Sequence, residues 1–393
     1  MSAVMKNLDD QMGAHLVPGA DGDVLLMSMR RVAHFVAYCL AYEFEDTTIA
    51  LTGADCVDVG DEAALELSRR VYKLARYTTG SSRLASGLAP SPSTVHLARD
   101  YELFFPIFNH THELYSLATI PNWRQRSRKA ACFIVEVWPH LLPNYLLEKL
   151  LQFDHIFIGF RNCVDEIAKI TGKPCSYLPL GTDVLRFSPS SMDAARPIDV
   201  YNIGRRSNIT HSALLKIADE RKIFYYYDTV AASGAGGKHR TFQVDNPSEH
   251  RRMLASLLQR SRYYIANRSY VNIPEVAKGL EEISARFYEG AASGAVMIGE
   301  APKSKEFDQQ FNWPDAVINL PFNSPQILEF LTELDQDKQR LERIRRNNVT
   351  NAALRHDWVY RLKTVFDTLN VTPTAAMNKR MESLNILAQQ ASN

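Results

Sequence analysis

The chain has 393 residues, 46% of them hydrophobic and 23% charged, which is enough for two ordinary domains and too balanced for a disordered or fibrous protein. Its 45 Lys and Arg against 44 Asp and Glu leave a formal charge of +1, so no global field draws it to nucleic acid or to an anionic membrane, and any anion site must be local. Five cysteines without a CxxC spacing argue against a zinc site or disulfide framework, and the absence of a signal peptide or of an apolar run near the ~20 residues that span a bilayer leaves a cytoplasmic protein as the expectation.

Along the chain, short apolar runs alternate with helix-period segments, the pattern of α/β proteins with parallel sheets. Residues 23–29 read as a strand, 30–42 as its helix, 47–52 as a second strand and 63–77 as a helix with Arg and Lys on one face. Strands are expected at 102–108, 131–138, 155–159 and 176–180, with helices near 144–152 and 163–171. A turn-prone stretch at 187–197, rich in Ser and Pro, interrupts every period and is taken as the boundary. The expected domains are 1–190, 191–370 and a docking helix within 371–393 that carries Met377, Met381, Leu384 and Leu387 on one face.

The alternation restarts with strand 198–204, helix 211–219 and strand 222–228. Helix 247–260, strand 262–267, helix 283–293, strands 295–299 and 316–320 and helix 325–345 follow. The glycine-rich stretch Ser233–Lys238 lacks the Ser or Thr after its lysine that a Walker loop needs, and reads as a surface loop.

Open parallel sheets bind ligands beyond the carboxyl ends of their strands. Three such ends attract attention. At the first, Gly204, Arg205 and Arg206 precede a helix: glycine allows close backbone approach, the helix start offers free N–H groups, and guanidinium forks match phosphate. The second, Asn267, Arg268 and Tyr270, offers hydrogen bonds and an aromatic face to a base. In the third, Arg286 and Glu289 stand three residues apart on one helix face, and an ionised carboxylate can accept two ribose hydroxyls. An intrahelical ion pair and surface turns are the plainer readings of the same residues.

The run Arg286-Phe-Tyr-Glu289-Gly-Ala-Ala-Ser-Gly294 resembles the carboxy-terminal signature of GT-B glycosyltransferases, the group 1 retaining families and their CgeB-like relatives. Glu281 and Glu289 match the E-x7-E pattern of those enzymes, the 177–189 stretch resembles their interdomain passage, and Arg355-His356-Asp357-Trp358-Val-Tyr-Arg361 their closing motif. The resemblance spans roughly residues 150–370. It implies two Rossmann-like domains facing each other across a cleft, with an acceptor domain first and a nucleotide-sugar donor domain second. By it, Glu289 binds the donor ribose and Glu281 faces the sugar or its phosphate, while Glu282, Tyr288 and Ser293 of the same stretch join the donor contacts. The chain departs from the group 1 pattern in having Thr210 where a lysine is expected and no Gly-Phe-Gly after Glu281.

The expected activity is transfer of a sugar from a UDP-, GDP- or dTDP-sugar to a glycan, lipid-linked or other acceptor, with retention and with no metal or other cofactor. Arg205 and Arg206 would meet the leaving diphosphate's charge; the two DxD strings, Asp21–Asp23 and Asp335–Asp337, lie outside a metal-binding context. If the reaction inverts instead, His110, His112 and Glu136 are the candidate bases. The basic run Arg124, Arg126, Arg128 and Lys129 is the candidate contact for an anionic acceptor or peripheral membrane surface. An epimerase of the same fold, or a non-catalytic glycan-binding scaffold, are the rival classes.

Overall fold

The computed structural model describes residues 13–393 except 21, 61, 91–92, 139, 141–143 and 229–242. Asp21 and the glycine-rich stretch Ser233–Lys238 therefore lie outside the described residues. The chain divides into two compact units. One comprises the described residues of Met1–His34, Phe44–Pro179 and Leu362–Met377; the other those of Phe35–Glu43, Leu180–Arg361 and Asn378–Asn393. The turn-rich stretch 187–197 lies inside the second unit, and the C-terminal residues are shared out rather than standing apart.

The first unit is built on β1 (His15–Val17), β2 (Val24–Ser28), β3 (Asp55–Asp58), β4 (Tyr101–Phe104), β5 (Ile107–His110), β6 (Ser127–Glu136), β7 (His155–Ile158) and β8 (Cys175–Tyr177). Their order is β1-β3-β2-β4-β6-β7-β8, with β5 also on β6; every pairing is parallel except β1 against β3. β2 reads Val-Leu-Leu-Met-Ser and is buried at every position, as a strand covered on both faces should be. Its longer helices are α1 (Cys39–Thr52), whose first five residues belong to the second unit, α2 (Glu62–Thr79), α3 (Ser82–Leu88) and α4 (Val164–Thr171).

Two expected elements are corrected here. Residues 47–52 are not a strand but the second half of α1, where Thr48 and Thr52 donate their hydroxyls to the carbonyls of Phe44 and Thr48, so that β-branched residues sit within a helix at little cost. The strand itself is β3, whose two aspartates concealed it from a search for apolar runs. The helix expected at 30–42 begins only near its end, at Cys39. Residues 102–108 form two strands because Pro106, which has no N–H to give, separates them.

The second unit holds β9 (Ile198–Asn202), β10 (Tyr225–Tyr227), β11 (Ser261–Ile265), β12 (Val296–Gly299) and β13 (Ile318–Asn319), all parallel in the order β10-β9-β11-β12-β13. Helices α5 (Asn208–Asp219), α6 (Pro247–Gln259), α7 (Ala285–Ser293), α8 (Ile327–Leu334) and α9 (Lys338–Arg355) alternate with or follow the strands, and α10 (Trp358–Leu369) and α11 (Ala375–Ser392) close the chain. Val200, Leu214, Tyr263, Val296, Ile298, Ile327 and Leu331 fill the core between the sheet and α5, α8 and α9. The single helix expected over 325–345 is two, because Asp337 caps α9 by accepting from the Arg340 amide. Among the described residues no helix is long and apolar enough to cross a membrane.

Glu45 on α1 is wholly buried beside the end of β2. One carboxylate oxygen accepts from Ser28 Oγ at 2.5 Å and from the Arg30 guanidinium at 3.0 Å, while the other has no partner among the described residues. Burial pushes its pKa up to about 7, against the opposing pull of Arg30. A carboxyl that holds its proton longer folded than unfolded stabilises the protein below the ordinary carboxylate pKa, and loses that contribution as pH rises towards 7. Urea unfolding of Glu45→Gln is therefore expected to show a flatter stability profile between about pH 4.5 and 7. An unchanged slope would refute this.

Candidate functional site

In the second unit, β9 leads the fold and its neighbours β10 and β11 lie on opposite sides of it, so the strand order reverses between β9 and β11. A crevice opens at such a reversal, beyond the strands' carboxyl ends. Here a small open pocket is lined by Asn202, Arg206, Ser207, Thr210, Asn267 and Phe322 among others. Ser207 caps α5 by accepting from the Thr210 amide at 3.2 Å, which aims the helix start, with its partial positive charge, at the crevice.

Between β9 and α5 the chain turns at Gly204, whose φ of +74° favours glycine. Its amide donates to Asp228 Oδ1 at 2.8 Å. The Arg286 guanidinium lies over this glycine, so close that a Cβ there would sit 2.5 Å from Nη2. Arg286 comes from the first turn of α7, whose start is tied to the end of β11 by the Ser284 hydroxyl on the Asn267 carbonyl at 2.7 Å. Arg205 stacks its guanidinium on the Tyr270 ring, 3.8 Å from the centroid. Neither Arg205 nor Arg286 has a carboxylate partner among the described residues. One half-buried cation thus lies on the glycine turn, and a second, on the next residue of the chain, is held against Tyr270.

One turn after Arg286, Glu289 is 5% exposed. Its Oε1 accepts from Arg251 of α6, whereas Oε2 has no hydrogen-bond partner among the described residues. Arg251 in turn donates to Glu43, from Nε at 2.8 Å and from Nη2 at 3.1 Å, and to Thr182 Oγ1 at 3.1 Å. Glu43 also accepts from the Asp183 amide at 2.8 Å and the Trp358 indole at 3.0 Å. Burial opposes its ionisation, but Arg251 and these donors outweigh burial and hold its pKa below the ordinary carboxylate range. Beneath lie Tyr201 and Tyr264, stacked at 5.8 Å; the Tyr264 hydroxyl is buried without a partner among the described residues, and burial drives its pKa far up, with Glu289 adding to the effect and Arg286 opposing it.

Residues 214–367, which include Arg251, Tyr270 and α7 but not the turn at Gly204 or the start of α5, match the family described as glycosyl transferase-like. No curated protein matches the chain. Solved structures that resemble it include sucrose-phosphate synthase from Thermosynechococcus elongatus, at 9% identity and a TM-score of 0.44 over 88% of this chain and 98% of that one. HepE from Anabaena, solved with UDP-glucose, resembles it at 12% identity and a TM-score of 0.48 over 88% and 99% of the two chains.

In the second unit, Arg286 lies on Gly204 and Arg205 on Tyr270, and several other expected donor contacts do not join them. Arg206 lines the pocket, but its guanidinium is committed to Asp228 at 2.5 Å, at the end of the neighbouring strand. Asn267 also lines the pocket, while its Oδ1 accepts the Glu300 amide at 2.8 Å and so shapes the end of β12. Arg268 lies 3.5 Å from Glu281, and Glu281 also accepts the Lys303 amide at 2.5 Å, so the first glutamate of the E-x7-E pair braces two loops. Glu282 is buried, its carbonyl taking the Ser269 amide.

Tyr288 is fully buried on another face of α7, where its hydroxyl donates to Gln310 at 2.7 Å and its ring packs on Phe311 and His356. Ser293 lies at the far end of α7, donating to the Gly290 carbonyl within its own helix. Both are packing residues, because α7 is buried on nearly every side. His110 and Glu136 belong to the first unit: the imidazole Nδ1 lies 3.3 Å from the Glu136 carbonyl, and the Glu136 carboxylate accepts the Trp138 indole at 3.0 Å.

The closing motif is structural as well. Asp357, buried, takes two bonds from Arg380 of α11 at 2.7 and 2.8 Å, and Arg361 donates to the Leu180 carbonyl at 2.9 and 2.7 Å. Asp335 of the second DxD string pairs with Arg262 and accepts from the Tyr263 hydroxyl, and Asp337 is the cap of α9. Glu43 and Arg251 were missed by sequence reading altogether. They lie 208 positions apart, and neither belongs to a motif.

Proposed function

We propose that the second unit grasps the ribose-diphosphate part of a nucleotide sugar and that the chain transfers the sugar to an acceptor hydroxyl. The reading rests on one observation: the Arg286 guanidinium lies on Gly204, next in the chain to Arg205, neither arginine has a carboxylate partner among the described residues, and one helical turn after Arg286 stands Glu289, whose Oε2 accepts no hydrogen bond among them. The diphosphate would lie against the two guanidiniums and the start of α5, and Glu289 Oε2 would accept the ribose hydroxyls. Tyr270, already stacked on Arg205, holds that guanidinium in place.

In the reaction the bond from the anomeric carbon to the diphosphate oxygen breaks and a bond to the acceptor oxygen forms. The acceptor proton passes to a leaving phosphate oxygen, so retention needs no protein nucleophile. Negative charge growing on the diphosphate is met by Arg205 and Arg286 with no metal required, and these are fixed in advance of the reaction. Arg206, neutralised by Asp228, shapes the loop instead. Glu281 would act by fixing Arg268 and the Lys303 loop rather than by touching the sugar.

Calorimetric titration of the full chain with UDP, GDP and dTDP tests the proposal. One of the three is expected to bind with a 1:1 stoichiometry. Failure of all three would sink it and leave the scaffold reading. Binding followed by release of free nucleotide diphosphate without an acceptor product would point to the epimerase class.

A further inference from the structure

Large apolar side chains exposed to solvent are not scattered evenly over this protein. Of the 17 among the described residues, five fall between positions 67 and 88: Leu67, Leu74, Tyr77, Leu84 and Leu88, each more than half exposed. Leu67, Leu74 and Tyr77 follow one another at seven and three residues along α2, which at 100° per residue keeps them on one stripe about 15 Å long. Arg70 and Lys73, both exposed, stand on the same side of the helix. The opposite face of α2 is used for folding: Leu65, Ser68, Tyr72 and Ala75 are buried. Leu84 and Leu88 add a second apolar pair, four residues apart, on α3, which packs against α2.

We propose that this face of α2 and α3 docks on the surface of an anionic lipid bilayer. A cluster of this kind on an otherwise ordinary surface marks a place of contact. Its charge selects the partner. The described side chains on and beside α2 are Arg69, Arg70, Lys73 and Arg76 against Glu66, which pairs with Arg69 and Arg70, and Glu148, which pairs with Arg76, four positive less two negative, a local +2 on a chain whose total is +1. A second copy of the chain would bring the same positive face against itself, whereas anionic headgroups complement it. Leucines along one stripe, basic side chains flanking it and a tyrosine at its end are what a helix lying in a membrane interface requires. The basic run singled out in the sequence is less positive, since Arg124, Arg126, Arg128 and Lys129 are paired with Asp154, Asp100 and Glu102, four positive less three negative, and no exposed large apolar side chain stands among them. Nothing in this surface depends on the donor site.

The test is flotation of the full chain with vesicles of phosphatidylcholine alone and with vesicles that also contain phosphatidylglycerol. Binding is expected only to the second kind, and it should weaken as salt rises from about 0.1 to 0.5 M. The double variants L67S/L74S and R70E/K73E should each lower vesicle partition by at least about tenfold. Unchanged thermal melting shows that they fold, a control that does not rely on nucleotide binding. Equal binding to both vesicle types, no binding, or variants that float like the native chain would each overturn the proposal. So would a lipid-free dimer that L67S/L74S dissolves, because the face would then belong to a second copy.

Discussion

Arg286→Ala is expected to weaken binding of the preferred nucleotide diphosphate by roughly 10- to 100-fold, the scale of one or two charge-assisted hydrogen bonds to phosphate, while leaving the melting temperature nearly unchanged. The second half of that expectation follows from the structure. Arg286 makes no ion pair among the described residues, so its removal orphans no buried carboxylate, and it only uncovers the face of Gly204. Arg286→Lys should recover part of the affinity but not all, since an ammonium supplies charge without the planar fork. Arg206→Ala should behave differently: it frees Asp228, loosens the turn at Gly204 and lowers affinity indirectly, with a measurable loss of stability. Full affinity in Arg286→Ala would remove the cation on which the donor reading depends.

Both parallel sheets were legible because apolar runs of strand length recur between helix-period segments, and β9, β11 and β12 lie close to where that alternation puts them. The strand ends of interest followed from the same reading, as did Gly204, where only a residue free to adopt positive φ suits the turn. What failed was facing. α7 is buried nearly all round, so periodicity could not tell which of its side chains look towards the crevice; Tyr288 and Ser293 were placed there and look elsewhere. Arg206 failed for a related reason, because its partner Asp228 follows β10, and only the parallel register of β10 on β9 brings the two side by side. β3 escaped notice because Asp55 and Asp58 broke its apolar pattern; Asp55 is held by Arg99 and Tyr101, contacts that no local window contains.

The buried Glu43–Arg251–Glu289 chain is where the largest loss of stability is expected. Arg251→Met should cost about 3–5 kcal/mol at neutral pH, because it takes the two-pronged ion-pair partner from the fully buried Glu43, leaving it only Arg186 at 3.6 Å and neutral donors, and also unpairs Glu289 Oε1. The pH dependence gives the sharper check. In the native protein the lowered pKa of Glu43 contributes stability that is present above the ordinary carboxylate pKa and lost as acid protonates it. In the variant, burial without Arg251 raises that pKa instead, so the variant should gain stability as pH falls from 7 towards about 4.5 and the gap between the two proteins should narrow. Arg251→Lys should not rescue, because one ammonium cannot donate to Glu43, Thr182 and Glu289 together. Nucleotide binding should fall as well, since Arg251 fixes the rotamer that leaves Glu289 Oε2 free. A stability gap below about 1 kcal/mol, or one that does not change with pH, would mean that the three residues are neighbours rather than a unit.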